Sequence, residues 1–217
     1  VLDLASSYPD QISLLAEGGP LNYYVVWGES YSQLMEEFTG LVGRQPLPPR
    51  WALGYLLSRF GYENQEQSLD IATRMLEAGY PVDAMIFDLY WYGDVADICD
   101  MEWDSSRFPD PVAMMEQLRA EEIMPVLINE PFMTQSNSVF AEADSLGLFA
   151  KNAGDSTYIL PSFWAGPAGL LDIFEPEGVD WFWEKLKPQM EIGTEGWWSD
   201  LGEPEKHPDD LLHQKGP

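Results

Sequence analysis

The spacing of apolar and polar positions changes several times along this chain. Residues 21–28, Leu21-Asn22-Tyr23-Tyr24-Val25-Val26-Trp27-Gly28, follow the turn Gly18-Gly19-Pro20 and carry the β-branched and aromatic bias of a strand. Only residues 11–16 offer a partner nearby. A lone two-stranded hairpin is marginal, so the pattern predicts the end of a β-rich region. Over 30–42 the period becomes helical: Leu34, Met35, Phe38, Leu41 and Val42 share one stripe, Ser30 stands at the cap and Gly43 at the stop. The stretch Gly43-Arg44-Gln45-Pro46-Leu47-Pro48-Pro49-Arg50 then reads as a stiff linker and places a domain boundary after residue 42.

From Trp51 onward short apolar runs alternate with helical periods. Trp51-Ala52-Leu53-Gly54-Tyr55 is the first run. A helix follows near 64–78, with Asn64 and Gln67 as a capping box and Gly79 as its stop. Ala84-Met85-Ile86-Phe87 is a buried-type strand. A helix near 111–122 has Asp110 as cap and Pro111 at its first position. Pro125-Val126-Leu127-Ile128 is the next strand, and a long loop separates it from a helix near 176–187, whose Trp181, Phe182, Trp183 and Leu186 form the buried face. Gly196-Trp197-Trp198-Ser199 is the last strand. Four β/α repeats imply parallel strands with crossover helices. Two closures fit, an open doubly wound sheet or an eight-stranded barrel. No glycine-rich phosphate fingerprint follows the first strand, which disfavours the nucleotide-binding version. A full barrel needs about 250 residues, so the repeats here amount to half of one.

Composition narrows the function classes. Of 217 residues 45% are hydrophobic, enough for a sizeable core. Lys and Arg number 11 against 37 Asp and Glu, a formal net charge of −26. That balance argues against nucleic acid and anionic membrane surfaces as partners, because both are met with clustered Lys and Arg. It admits neutral ligands, and an acid excess also fits a salty environment. No apolar run approaches the roughly 20 residues of a membrane span, so no membrane insertion is expected. The chain starts at Val1 without a basic leader, and its localisation stays open, with an extracytoplasmic site compatible. The single Cys99 forms no disulfide framework, and His207 and His213 are the only histidines, so neither a metal nor another cofactor is expected.

The candidate chemistry lies just past the strand segments. Asp88 follows Met85-Ile86-Phe87, Glu130 follows Leu127-Ile128-Asn129, and Asp200 follows Trp197-Trp198-Ser199. In parallel α/β folds the carboxyl ends of the strands face the site, so three carboxylates in phase would share one rim. Each alone would serve equally well as a cap for the next turn. Carboxylates flanked by Trp and Tyr suit sugar chemistry: the oxygens accept hydroxyls and flat rings cover the apolar side of a pyranose. Glycosidic cleavage needs two such carboxyl groups.

Several stretches carry a resemblance. Gly196-Trp197-Trp198-Ser199-Asp200-Leu201-Gly202-Glu203-Pro204 is similar to the nucleophile motif of glycoside hydrolase family 31, usually Trp-x-Asp-Met-Asn-Glu; Trp198, Asp200 and Glu203 match, while Leu201 and Gly202 depart from it. Gly43-Arg44 through Pro48-Pro49-Arg50-Trp51-Ala52-Leu53-Gly54 resembles the family's entry into its barrel, and Ser58-Arg59-Phe60-Gly61-Tyr62 the end of the first strand. Pro81-Val82-Asp83 through Phe87-Asp88 resembles the second strand, and Asp172 through Pro176 with Trp181 the segment before the fourth.

The resemblance implies an α/β chain holding the first four units of a (β/α)8 barrel over 43–217, preceded over 1–42 by the tail of a β-sandwich domain and a connecting helix. It implies a retaining enzyme acting on α-glucosidic linkages of oligosaccharides, either hydrolase or transglycosylase. Asp200 would form the covalent glycosyl-enzyme. Asp88 would hold sugar hydroxyls, Leu89 and Trp198 would line the same subsite, and Glu130 would join them. Glu203 would support the nucleophile loop. The family's general acid is an Asp from a later strand; Glu205, Asp209 and Asp210 share a loop with Asp200 and are poor substitutes, so this stretch alone would be inactive. Asp200-Leu201-Gly202-Glu203-Pro204-Glu205, with Ile128-Asn129-Glu130-Pro131-Phe132 and Asp172-Ile173-Phe174, is similar to 4-α-glucosyltransferases of the family. For them Trp91, Tyr92 and Trp164 are candidate acceptor-site aromatics. The competing expectation is a non-catalytic half-barrel that binds carbohydrate or packs against a missing half.

Overall fold

The computed structural model describes residues 2–4, 6, 8–14, 22–202 and 206–214. The chain divides into two compact units, Val1–Leu47 and Pro48–Gly216, a division that falls inside the proline-rich linker.

In the first unit β1 (Leu2–Leu4) pairs antiparallel with β2 (Ile12–Leu14). Helix α1 (Tyr31–Val42) begins where Ser30 accepts from Gln33 N at 3.2 Å and ends at Gly43, whose φ of +85° is in the region glycine favours. The strand expected at 21–28 does not form. Leu21 lies outside the described residues, and 22–28 is irregular, with Tyr24 and Val25 exposed. β-Propensity becomes a strand only beside a ladder partner, and among the described residues β2 pairs with β1 instead. No residue of α1 is buried, so its apolar stripe is open within this unit.

The second unit is built on β3 (Leu56–Ser58), β4 (Ala84–Phe87), β5 (Met124–Asn129) and β9 (Gly196–Ser199), all parallel, in the order β3-β4-β5-β9. Sequential order, with no switch point, is how a barrel wall is laid down, whereas a doubly wound sheet reverses order. The crossovers are α2 (Gln65–Glu77), α3 (Pro111–Ala120) and α5 (Pro176–Ile192). Asn64 caps α2 by accepting from Gln67 N at 2.8 Å; the Gln67 side chain reaches one residue further than a capping box requires, to Glu63 N at 2.8 Å. Asp110 caps α3 through Ala113 N at 3.0 Å. Met114, Met115 and Leu118 of α3 are buried with Met85, Phe87 and Leu127 of the sheet.

Three sequence expectations are corrected. The apolar run 51–55 is not itself the strand of its repeat: Arg50–Leu53 is a 3₁₀ turn, and pairing starts at Leu56 and ends at Ser58, within the stretch where the resemblance puts the end of the first strand. A five-residue apolar run does not distinguish the two. Here Asp83 decides, because its Oδ2 accepts from Tyr55 N at 2.9 Å and its carboxyl occupies the space beside Gly54. Helix α5 continues past Pro188 to Ile192, since the next turn is held by buried Gln189, whose Nε2 donates to Met101 O at 3.0 Å. Trp183, expected in the buried face, is 47% exposed.

The long loop between β5 and α5 is itself structured. It contains β6 (Phe132–Thr134), α4 (Phe140–Ser145), β7 (Ile159–Leu160) and β8 (Ala168–Leu170), with an antiparallel sheet in the order β6-β8-β7. Gly169 is required there, as a Cβ would sit 2.9 Å from the Phe149 ring.

Candidate active site

β4, β5 and β9 run the same way, so Asp88, Glu130 and Asp200 leave the sheet at one edge. Register sets their depth. Phe87 pairs with Leu127 and Leu127 with Trp197, which puts Asp88 level with Ile128 and Trp198. Asn129 pairs with Ser199, and Asp200 N donates to Asn129 O at 2.9 Å, so Asp200 stands two residues further out, level with Glu130. Paired residues of a ladder share a face, and faces alternate along a strand. Ile86, Asp88, Ile128, Trp198 and Asp200 therefore belong to one face. Phe87, Leu127 and Trp197 belong to the other, where Trp197 Nε1 lies 3.1 Å from Met190 Sδ of α5. The helices cover that second face and leave the aspartates on the first.

Asp88 is 7% exposed and accepts from Leu89 N at 2.7 Å, starting a 3₁₀ turn at Leu89–Trp91. Burial pushes its carboxyl above the ordinary carboxylate range; the Leu89 N–H pulls it back, and the negative charge of Asp200 pushes it up again. The two groups thus sense each other across β5. Asp200 is half-buried and accepts from Leu201 N at 3.0 Å, and Leu201 has a φ of +56° that turns the chain sharply away. One oxygen of each aspartate caps a turn, leaving the second oxygen outside that bond. Capping and ligand contact are therefore compatible in the same residue.

The remaining candidates separate. Trp198 is half-buried on the aspartates' face. Leu89 is 1% exposed and belongs to the core. Glu130 is 2% exposed; its Oε2 accepts from Tyr92 OH at 3.2 Å, and its backbone oxygen accepts from Cys99 Sγ at 2.8 Å. Its carboxylate is thus engaged with the loop after β4. Trp91, expected to line an acceptor site, is fully buried instead, stacked edge-on against Tyr92 and donating from Nε1 to Ile128 O at 3.1 Å. Tyr92 is buried as well. A Trp with its N–H satisfied is a stable core residue, and the sequence carries no mark that separates this from a surface platform. Trp164 is 47% exposed, beside Phe163, which stacks on Phe132 of β6. Glu203 and Glu205 lie outside the described residues.

Sequence reasoning missed a network that joins the segment after Asp200 in sequence to Asp172. His213 Nδ1 lies 2.9 Å from Asp172 Oδ1, and His207 Nε2 lies 2.9 Å from His213 Nε2. The only signal for it was that both histidines fall within the same short stretch after Asp200. Among the described residues no group of three or more His, Cys, Asp or Glu is placed to hold a metal ion, and no helix is long and apolar enough to cross a membrane.

Known proteins are similar to this chain in sequence and fold. An α-xylosidase of Lactiplantibacillus pentosus is 29% identical over 93% of this chain and 26% of its own length. Alpha-glucosidase 2 of Bacillus thermoamyloliquefaciens is 30% identical over 90% and 24%. The chain therefore spans about a quarter of the length of these relatives. Among solved structures, a Flavobacterium johnsoniae dextranase complexed with glucose superposes with a TM-score of 0.80 at 27% identity, covering 88% of this chain and 24% of that one. A mutant of the same dextranase complexed with isomaltotriose also gives 0.80, at 26% identity. The Glycosyl hydrolases family 31 TIM-barrel domain matches residues 45–216. With its sequential parallel strands and the two aspartates at their shared edge, this chain belongs to glycoside hydrolase family 31.

Proposed function

We propose that this chain carries the nucleophile half of a retaining enzyme acting on α-glucosidic linkages of oligosaccharides. The observation that supports this most is that Asp88 and Asp200 end neighbouring-but-one strands at the same edge, close enough for one charge to perturb the other. Asp200 attacks the anomeric carbon as the glycosidic C–O bond breaks, and the departing oxygen takes a proton from a general acid. Water or a sugar hydroxyl then attacks the glycosyl-enzyme, giving its proton to the acid's conjugate base and releasing Asp200. Asp88 holds hydroxyls of the bound sugar, with Trp198 beside it.

The general acid comes from outside these four β/α units. Asp210, on the same stretch as Asp200, has one carboxylate oxygen engaged by Tyr158 OH at 2.7 Å. Residues 1–42 we read as the tail of a β-sandwich domain and its connecting helix, in keeping with the β1–β2 ladder. Transfer to a sugar is favoured over transfer to water by the Asp200–Glu205 motif and by exposed Trp164, the one acceptor-site candidate that is not buried.

The test is mass spectrometry of the intact protein after reaction with 5-fluoroglucosyl fluoride. A label on Asp200 is expected. A label elsewhere refutes the nucleophile, and no label with no turnover supports a non-catalytic half-barrel. Incubation with maltotriose separates the two outcomes of the second step: longer oligomers mean transfer, glucose and maltose alone mean hydrolysis.

A further inference from the structure

The turn that Asp88 opens is tied to the neighbouring strand. The β4–β5 ladder ends at the pair Phe87–Leu127, and Asp88 stands just past it. Its place is set by the 3₁₀ turn Leu89–Trp91. Leu89 N donates to the Asp88 carboxylate at 2.7 Å, Trp91 N to Asp88 O at 3.3 Å and Tyr92 N to Leu89 O at 3.2 Å. Two side chains then cross from the turn to β5. Trp91 Nε1 donates at 3.1 Å to the carbonyl of Ile128, which is level with Asp88, and Tyr92 OH donates at 3.2 Å to Glu130 Oε2, two residues further along. On its other side the turn is held by Asp104 N, which donates to Trp91 O at 2.9 Å. The Trp91 ring is fully buried between those of Tyr92 and Trp103, with centroids 5.0 and 5.3 Å away.

We propose that Trp91 and Tyr92 are positioning residues for Asp88. The inference rests on the reading of Asp88 as the group that holds the sugar. The route from β5 to Asp88 is two hydrogen bonds long, and Trp91 makes both: its indole N–H fixes the turn on Ile128, and its backbone N–H fixes the Asp88 carbonyl. The Leu89 N–H, inside the same turn, fixes the Asp88 carboxylate. Leu89 and Trp91 are also packed in the core. Apolar packing keeps the turn out of water but is non-directional, whereas hydrogen bonds set angles. The indole and the Tyr92 hydroxyl therefore fix how the turn is rotated against β5, and that rotation carries the Leu89 N–H and the carboxylate it holds. A misplacement of about 1 Å at a reacting group costs about a hundredfold in rate. The two aromatics thus shape the sugar site from behind, through Asp88.

The experiment is a double-mutant cycle on the intact protein, read as the second-order rate of covalent labelling by 5-fluoroglucosyl fluoride below the melting transition of every variant. Wild type, Trp91→Phe, Asp88→Asn and the double variant are compared. Phe keeps a buried ring and removes the indole N–H. Trp91→Phe is expected to slow labelling about tenfold, and Asp88→Asn, which removes the charge, is expected to slow it more. In the Asp88→Asn background Trp91→Phe is expected to cost less than about twofold, because the charge it orients is already gone. A merely structural role would slow labelling by the same factor in both backgrounds. Wild-type labelling of Trp91→Phe, or an equal loss in both backgrounds, overturns the proposal and leaves the role of Asp88 standing. Wild-type labelling of Asp88→Asn overturns that role and the proposal with it. Tyr92→Phe, which removes only the hydroxyl that reaches Glu130, enters the same cycle and decides the matter should Trp91→Phe fail to fold: wild-type labelling or equal losses overturn the proposal there as well.

Discussion

Asp200 raises the pKa of Asp88 from across an intervening strand. Burial is the larger cause and the Leu89 N–H opposes both. Replacing Asp200 by Asn removes one of the two raising influences and leaves the other. The Asp88 carboxyl in Asp200→Asn therefore ionises at a lower pH than in the wild type while staying above an ordinary aspartate. Carbon-13 NMR titration of the Asp88 carboxyl reads this directly, and an unmoved midpoint contradicts the proximity of the two groups.

The same shift makes stability depend on pH. A carboxyl raised in the folded state favours folding while it is protonated, and that contribution disappears as pH rises through the folded pKa. Asp88→Asn keeps the neutral form at every pH. Its melting temperature should therefore gain on the wild type between pH 4 and pH 7, and not the reverse. Thermal unfolding at the two pH values checks the sign.

Trp91 and Trp164 should respond in opposite ways. Trp91 is fully buried with its N–H bonded to Ile128 O, so Trp91→Phe leaves that carbonyl short of a donor and costs about 1–3 kcal/mol of stability. Trp164 is 47% exposed, so Trp164→Ala should move stability by less than about 0.5 kcal/mol. Its effect is expected on the maltotriose acceptor, as a raised KM for transfer. Equal losses of stability in both variants would contradict this division.

Gly54 stands where no side chain fits. An added Cβ would lie 2.2 Å from Asp83 Oδ2, whose bond to Tyr55 N joins the starts of β3 and β4. Gly54→Ala is expected to cost about 1–3 kcal/mol by overpacking. In an Asp83→Ala background the same change should cost clearly less, because the obstructing carboxyl is gone. A double-mutant cycle in denaturant measures that coupling.

Replacing Asp200, the proposed nucleophile, should separate chemistry from folding. Asp200→Ala in the intact protein is expected to reduce turnover by several orders of magnitude, since no other group takes over the covalent step. Its melting temperature should stay near that of the wild type, because Asp200 is half-buried and its backbone bond to Asn129 O survives. Steady-state kinetics beside a thermal melt makes the comparison.

The order α1, α2, β4, α3, β5, α5 and β9 was legible along the chain because these elements carry their own period and three of the helices their own cap: Ser30, Asn64 and Asp110 all accept the backbone donors their positions predict. The three strand-end carboxylates were legible for the same reason, since a parallel strand delivers the next polar residue to a known edge. Local signals of this kind act over a few residues and survive in one dimension. What they do not carry is which side chains stay open. Glu130 and Asp200 occupy equivalent places in the pattern, yet one is turned onto Tyr92 and the other stays half-buried at the rim. The β6-β8-β7 sheet is made of strands two or three residues long, too short for any period to show. The junction of Asp172 with His213 joins residues 41 positions apart. Only the packed chain selects such partners, because burial and hydrogen bonding depend on distances in space that no local pattern encodes.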